Sequence, residues 1–298
     1  MSADFHFERI TPFSLEHGAV RGRLVRLDNS LDTILQKHNY PLSVAKILAE
    51  TISVVTALSS NLKFEGVFSV SIHSNGPISL LVADVTSEGG IRGYAQYAEE
   101  KTEALDINHT DLLFKTLLTD GQLIFTLDQG PNKDRYQGIV DLIGRSITNV
   151  FQHYFSQSEQ LDTFLKTALQ YENHHWTAST LLLQKIPSSE IEEEIDPVWP
   201  KTVLFAETLQ NSELLNFSCT SSQLIDRLFH ELSPLIYDEK PVKAKCRCSR
   251  GRIISLLRSF PKEEIANMKE NDKIVVTCQF CSEVYFLSEE DFQLRIVR

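Results

Sequence analysis

Four of the chain's five cysteines fall in two short stretches near the C-terminus. Cys246 and Cys248 form C-x-C in "KPVKAKCRCSRGR", and Cys278 and Cys281 form C-x-x-C in "VVTCQFCSEVYF". Four thiolates with no histidine close by suit tetrahedral Zn²⁺ better than Mg²⁺, Ca²⁺ or Mn²⁺, which prefer oxygen ligands. The spacer reads as a helix at "RIISLLRSF", a second helix at "PKEEIANM" opened by Pro261, and a strand running into the second pair. That order puts Cys278 and Cys281 at the tip of a hairpin, the knuckle that points two sulfurs at one ion. C-x-C is less usual. Residues two apart in an extended chain lie about 6.6 Å apart, at the upper end of the Cα separations a disulfide accepts. Cys246 and Cys248 can therefore bond only with local distortion, and such a bond is easily reduced.

The surroundings are basic. Lys240, Lys243, Lys245, Arg247, Arg250, Arg252, Arg258 and Lys262 occur with no acid between them. A zinc ion held by four thiolates carries a net charge of about -2, which nearby cations offset while favouring the reactive thiolate. The plainer readings of that run are a solvated basic face or an RNA-binding zinc ribbon. A unit of about sixty residues rarely draws more than about 3 to 5 kcal/mol from its core. Structural zinc contributes about 10 to 16 kcal/mol at neutral pH. Loss of the metal is thus expected to unfold this unit and whatever depends on packing against it.

Upstream, "YPLSVAKILAETISVVTAL" places Pro41 in a first helical turn and repeats Val44, Ile47, Leu48, Ile52, Val55 and Leu58 at helical spacing. Lys46 and Glu50 interrupt it, so it reads as an amphipathic helix with one core face and not as a membrane span. "GVFSVSIHSNGPISLLVADV" alternates at Phe68, Val70 and Ile72, turns at Asn75-Gly76, and runs on through Ile78, Leu80 and Val82, the pattern of a β-hairpin. Strands are expected at 91–97, at 122–127 and in "YQGIVDL", and a helix over "SITNVFQHYFSQSEQLDTFLKTAL". The character changes near Gln184. Three prolines and the acids Glu190, Glu192, Glu193, Glu194 and Asp196 mark a solvated boundary. The amphipathic helices that follow are too short to stand alone and need a surface to lie on. The resulting organisation is α+β: a core domain of mixed sheet and helix at 1–184, a helical linker at 185–238, and a small zinc-binding domain at 239–298.

The formal net charge of -11 disfavours a general nucleic-acid or anionic-membrane binder, which needs a basic face. The N-terminus has acids and no apolar h-region, so no secretory signal is expected. The expected compartment is a reducing cytoplasm, where closely spaced cysteines are metal-binding or redox-active.

"CRCSRGR" with "CQFCSEVYF" resembles the zinc-binding redox switch of the heat shock protein 33 family, the redox-regulated 33 kDa chaperonins. The similarity covers nearly the whole chain, through "AVRGRLVRL", "YPLSVAKILAETISVVTALSSNLKFEG", "GQLIFTLDQG", "RYQGIVDL", "YFSQSEQLDT" and "RLFHE". Gly251 stands where that family usually has an acid, and Ser282 where it often has glycine. The resemblance implies an ATP-independent holdase that binds unfolding client proteins and prevents their aggregation. When reduced, Cys246, Cys248, Cys278 and Cys281 would hold one Zn²⁺ and the protein would be inactive. On oxidation Cys246 would pair with Cys248 and Cys278 with Cys281, zinc would leave, the linker would unfold, and active molecules would form homodimers.

Three readings differ in what they predict. A redox-switched chaperone gains activity as zinc leaves, a zinc ribbon binds RNA in a salt-dependent way, and a thiol-disulfide oxidoreductase turns over disulfides. No G-x-S-x-G, P-loop or G-x-G-x-x-G motif occurs, so the chain reads as a non-enzyme and the "SEQ" within "YFSQSEQLDT" as packing and hydrogen bonding. Cys219 reads as a small buried hydrophobe and His174–His175 as a surface pair.

Overall fold

A computed structural model of the chain describes residues 8–102, 105–130, 133–187, 198–270, 273–288 and 291. Two compact units divide at one point, Met1–Ala244 and Lys245–Arg298.

In the first unit, β1 (Arg9–Leu15) and β2 (Val20–Leu27) are followed by α1 (Asn29–Leu35) and the long α2 (Leu42–Ser59). Next come β3 (Val67–His73), β4 (Ile78–Thr86), β5 (Gly90–Tyr97), α3 (Thr110–Leu117), β6 (Gln122–Asp128), β7 (Tyr136–Asp141) and α4 (Ile147–Gln157). β8 (Thr163–Glu172) and β9 (His175–Lys185) precede α5 (Val198–Thr208), α6 (Asn211–Leu214) and α7 (Ser221–Phe229). Three two-residue strands close the unit: β10 (Leu235–Ile236), β11 (Lys240–Pro241) and β12 (Lys243–Ala244). One sheet runs β10-β1-β2-β9-β8 with β11 also on β1; the other runs β12-β5-β4-β3-β6-β7. Every pairing is antiparallel except β12 on β5, so the fold is the expected mixed α+β arrangement.

α2 packs on strands of both sheets, and this changes its character. It is not amphipathic. All of its residues except Leu42 and Lys46 are buried, because it is enclosed on both sides and not laid on a single surface. The helix is long and apolar enough to cross a membrane, yet 89% of it is buried inside this unit. Its two charges are accommodated locally. Glu50 accepts from the Thr148 N–H at 3.0 Å and the Thr148 hydroxyl at 2.7 Å, capping the start of α4. Lys46 donates to the Ile107 carbonyl and to Thr110 Oγ1.

Two other expectations need correction. Residues 163–169 do not continue α4: the chain turns at Gln160 with φ 49° and forms β8, paired along β9. Thr163, Leu165, Thr167 and Leu169 alternate at strand period, and the ladder offered by β9 outweighs local helix propensity. In β4 the inward positions are Leu81, Ala83 and Val85, not Leu80 and Val82. A register shift between Ile78 and Leu80 inserts a residue and flips the alternation.

The outer face of the first sheet carries Phe13, Leu15, Leu24, Leu181 and Leu183, covered by Leu214, Leu224, Ile225 and Phe229 of the α5–α7 region. These helices found the surface they need. Residues 198–238 of the segment expected as a linker at 185–238 thus lie within the first compact unit, which continues to Ala244. The acidic run at Glu190 to Asp196 lies outside the described residues. Gly22 is required where it stands: a Cβ there would come within 2.1 Å of the Phe13 ring.

Candidate metal centre

The second unit contains α8 (Arg250–Leu257), α9 (Lys262–Asn267) and the strands β13 (Lys269–Glu270), β14 (Lys273–Thr277) and β15 (Val284–Leu287). Cys246 and Cys248 lie on the segment leading into α8, whose N-cap Ser249 accepts from the Arg252 N–H at 3.3 Å. β14 and β15 are antiparallel and end at Thr277 opposite Val284, so Cys278 and Cys281 occupy the expected hairpin tip. The Cys278 N–H donates to the Glu283 carbonyl at 2.9 Å, and the Ser282 N–H to the Cys278 carbonyl at 2.9 Å. Ser282 sits in the left-handed region at φ 60°, which is why glycine suits that place.

The four sulfurs lie within 4.8 Å of one another. Cys246 Sγ is 3.7 Å from Cys278 Sγ, and Cys248 Sγ is 3.4 Å from Cys281 Sγ. Sulfurs bound at about 2.3 Å to one tetrahedral ion would be about 3.8 Å apart, so the donor set fits such an ion. The Cys248 N–H faces Cys246 Sγ at 3.5 Å, and the Tyr285 hydroxyl donates to Cys248 Sγ at 3.1 Å.

Electrostatics point the same way. Burial opposes a thiolate at Cys246, but the Cys248 N–H and the neighbouring thiols donate to it and bring its pKa to about 7. Burial pushes Cys248 up against the opposing bond from the Tyr285 hydroxyl, and pushes Cys281 up with its neighbouring sulfurs adding to the rise. Thiols this close resist accumulating several negative charges unless a cation sits among them. The cluster can therefore hold a metal ion, and its soft sulfur set is compatible with zinc.

Little else holds this unit. Among the described residues its buried apolar core is Leu257, Ile274 and Leu287, with Ile253, Ile254, Ile265 and Val276 partly buried. Arg250 grips Asp291, Nη2 to Oδ2 at 2.7 Å and Nε to Oδ1 at 3.2 Å, and donates from Nη1 to the Phe286 carbonyl at 3.0 Å. One cation of the expected basic face is thus a tie within the unit. Tyr285 and Asp291 escaped the sequence reading. Tyr285 reaches Cys248 from β15, through contacts distant along the chain, and only the folded arrangement reveals it.

In the first unit, half-buried Cys219 packs against the layer over the outer sheet face, and its carbonyl accepts from buried Arg26. His175 is no ordinary surface residue: Nε2 lies 2.5 Å from Asp28 Oδ1 and Nδ1 3.2 Å from Asp32 Oδ2. Burial lowers its pKa, but the hydrogen bond to Asp28 and the charge of Asp32 raise it on balance. In "YFSQSEQLDT" the Tyr154 hydroxyl donates to Glu159, and the Leu161 N–H returns to the Phe155 carbonyl at 2.9 Å, closing the turn from α4 into β8.

Residues 8–288 match the family described as Hsp33 protein. The 33 kDa chaperonin of Caulobacter vibrioides is 38% identical over 283 residues, covering 93% of this chain and 94% of that protein. The 33 kDa chaperonin of Methylobacillus flagellatus is 34% identical over 282 residues, covering 94% and 91%. The crystal structure of the 33 kDa chaperonin from Thermotoga maritima matches with a TM-score of 0.79 at 22% identity, over 97% of both chains. The chain belongs to the Hsp33 family.

Proposed function

We propose that this chain is a redox-regulated, ATP-independent holdase of the cytoplasm and not an enzyme. The observation that carries the reading is four thiols gathered within 4.8 Å, in a unit whose described residues include only a small buried apolar core. Reduced, Cys246, Cys248, Cys278 and Cys281 hold one Zn²⁺, which supplies the cohesion that Leu257, Ile274 and Leu287 cannot. Tyr285 and the Cys248 N–H orient the sulfurs. Hydrogen peroxide takes two electrons from each pair of thiolates: one S–S bond forms, and the peroxide takes up two protons from solvent and becomes two waters.

The family resemblance pairs Cys246 with Cys248 and Cys278 with Cys281. The two close sulfur pairs described above join opposite knuckles, Cys246 to Cys278 and Cys248 to Cys281. Forming the bonds within each knuckle must therefore pull the cluster apart. Disulfide formation and loss of the metal site become one event, and the unit unfolds. The surface then offered to clients is the outer sheet face with Phe13, Leu15, Leu24, Leu181 and Leu183, once α5–α7 no longer cover it. Apolar burial is non-directional, which suits binding of varied unfolding proteins and pairing of active chains as homodimers. The RNA-binding reading is disfavoured by the net charge of -11 and by the commitment of Arg250 to Asp291.

The test is zinc release under hydrogen peroxide and mild heat, with client light scattering followed in the same sample. Release of about one zinc per chain should coincide with onset of aggregation suppression. Equal suppression before and after oxidation would overturn the reading.

A further inference from the structure

A cavity of about 250 Å³ opens inside the first unit near the end of α2, beside α4 and between strands of the two sheets. Its walls include Leu58, Phe68, Phe125, Phe151, Phe155 and Leu161. A polar cluster lines one side. Gln184 Oε1 accepts from Arg21 Nη2 at 3.1 Å, from Arg21 Nε at 3.3 Å and from Asn61 Nδ2 at 2.8 Å. Gln184 Nε2 donates onward to Thr163 Oγ1 at 3.2 Å.

This cluster is unfinished in two respects. The Arg21 guanidinium has no carboxylate partner among the described residues; its side chain bonds only to a neutral amide oxygen. Asn61 Oδ1 is buried with no hydrogen-bond partner. Glu159, the one carboxylate lining the cavity among the described residues, is engaged by the Tyr154 hydroxyl. A half-buried cation held only by an amide has a large part of its charge uncompensated, and the end of α2 nearby offers only about half a unit of negative charge. An apolar cavity of about 150 Å³ holds benzene. This one has room for a ring and a short tail.

We propose that the cavity binds a small amphipathic carboxylate, an aryl or branched alkyl group with a short acid tail, whose carboxylate pairs with Arg21. The apolar body lies against Phe125, Phe151 and Phe155. The site is independent of the cysteines and goes beyond the chaperone reading.

The test is an NMR titration of the full reduced chain with 3-phenylpropionate and, in parallel, with the uncharged 3-phenylpropan-1-ol. The expected result is saturable shifts centred on the Asn61 and Gln184 side-chain amides, with the carboxylate at least about tenfold tighter than the alcohol. Arg21→Met should abolish that preference while leaving the alcohol's affinity unchanged. Leu62→Trp, at a rim position 41% exposed, should block both probes and decides the matter should Arg21→Met fail to fold. Equal affinity for the two probes, shifts scattered away from the cavity, no saturation, or a preference that survives Arg21→Met would each overturn the proposal.

Discussion

The first unit wraps two sheets around a helix whose eighteen residues are nearly all buried, whereas in the second, among the described residues, a three-residue core accompanies four thiols. Full burial of a large apolar side chain is worth about 1.5 to 3 kcal/mol, and the first unit buries many more of them than the three described in the second. The second unit therefore leans far more than the first on whatever its thiols hold. The difference shows how one chain keeps a stable scaffold while making a small part of itself conditional on thiol chemistry.

The largest effect is expected at the thiol cluster. Cys278→Ser, or a zinc chelator, should unfold the second unit outright, consistent with about 10 to 16 kcal/mol from a structural zinc. Amide exchange should become unprotected through Lys273–Thr277 and Val284–Leu287 while α2 stays protected. Loss of protection in α2 as well would mean that the first unit does not stand alone.

Phe229→Ala comes next. Phe229 is fully buried against the outer sheet face and stacks on Phe13 at a centroid distance of 5.9 Å. Its removal should cost about 3 to 5 kcal/mol and loosen the α5–α7 cover. Zinc content should be unchanged, and apolar dye binding should rise before any oxidant is added.

Ser282→Gly should act in the opposite direction and more weakly. Relief of the left-handed strain at φ 60°, less the extra unfolded-state freedom of glycine, leaves about 0.5 kcal/mol. That is close to a twofold gain in zinc retention against a competing chelator.

The smallest effect concerns His175. Its pKa is raised in the folded state, so its stabilising contribution is fully present below the unfolded value of about 6.5. The contribution is lost as pH rises through the folded value. The stability gap between wild type and His175→Gln should therefore be wider at pH 5.5 than at pH 8.5. Partial exposure keeps the change to a few tenths of a kcal/mol. A gap that widens at high pH would contradict the ion pair with Asp28 and Asp32.

What could be read from residues alone were features set by short stretches of chain. The C-x-C and C-x-x-C spacings, the knuckle at 278–281, helices α8 and α9 and the β3–β4 pairing all depend on neighbours a few positions apart. Where long-range pairing competes with local preference, reading by periodicity failed. Residues 163–169 carry apolar positions compatible with either period, and only the ladder on β9 makes them a strand. One extra residue between Ile78 and Leu80 reversed the inward face of β4.

By itself, then, the sequence determined the thiol cluster, the class of metal it suits, the α+β class and the family, because ligand spacing and motifs are properties of covalent order. Only the tertiary structure decided that α2 is enclosed on all sides, that α5–α7 cover an apolar sheet face, and that Tyr285 reaches Cys248. It also set Arg21 at the wall of a cavity, bonded to the neutral amide of Gln184. These depend on which surfaces meet, and burial turns the same Glu50 or Arg21 from a solvated charge into one that must find a partner.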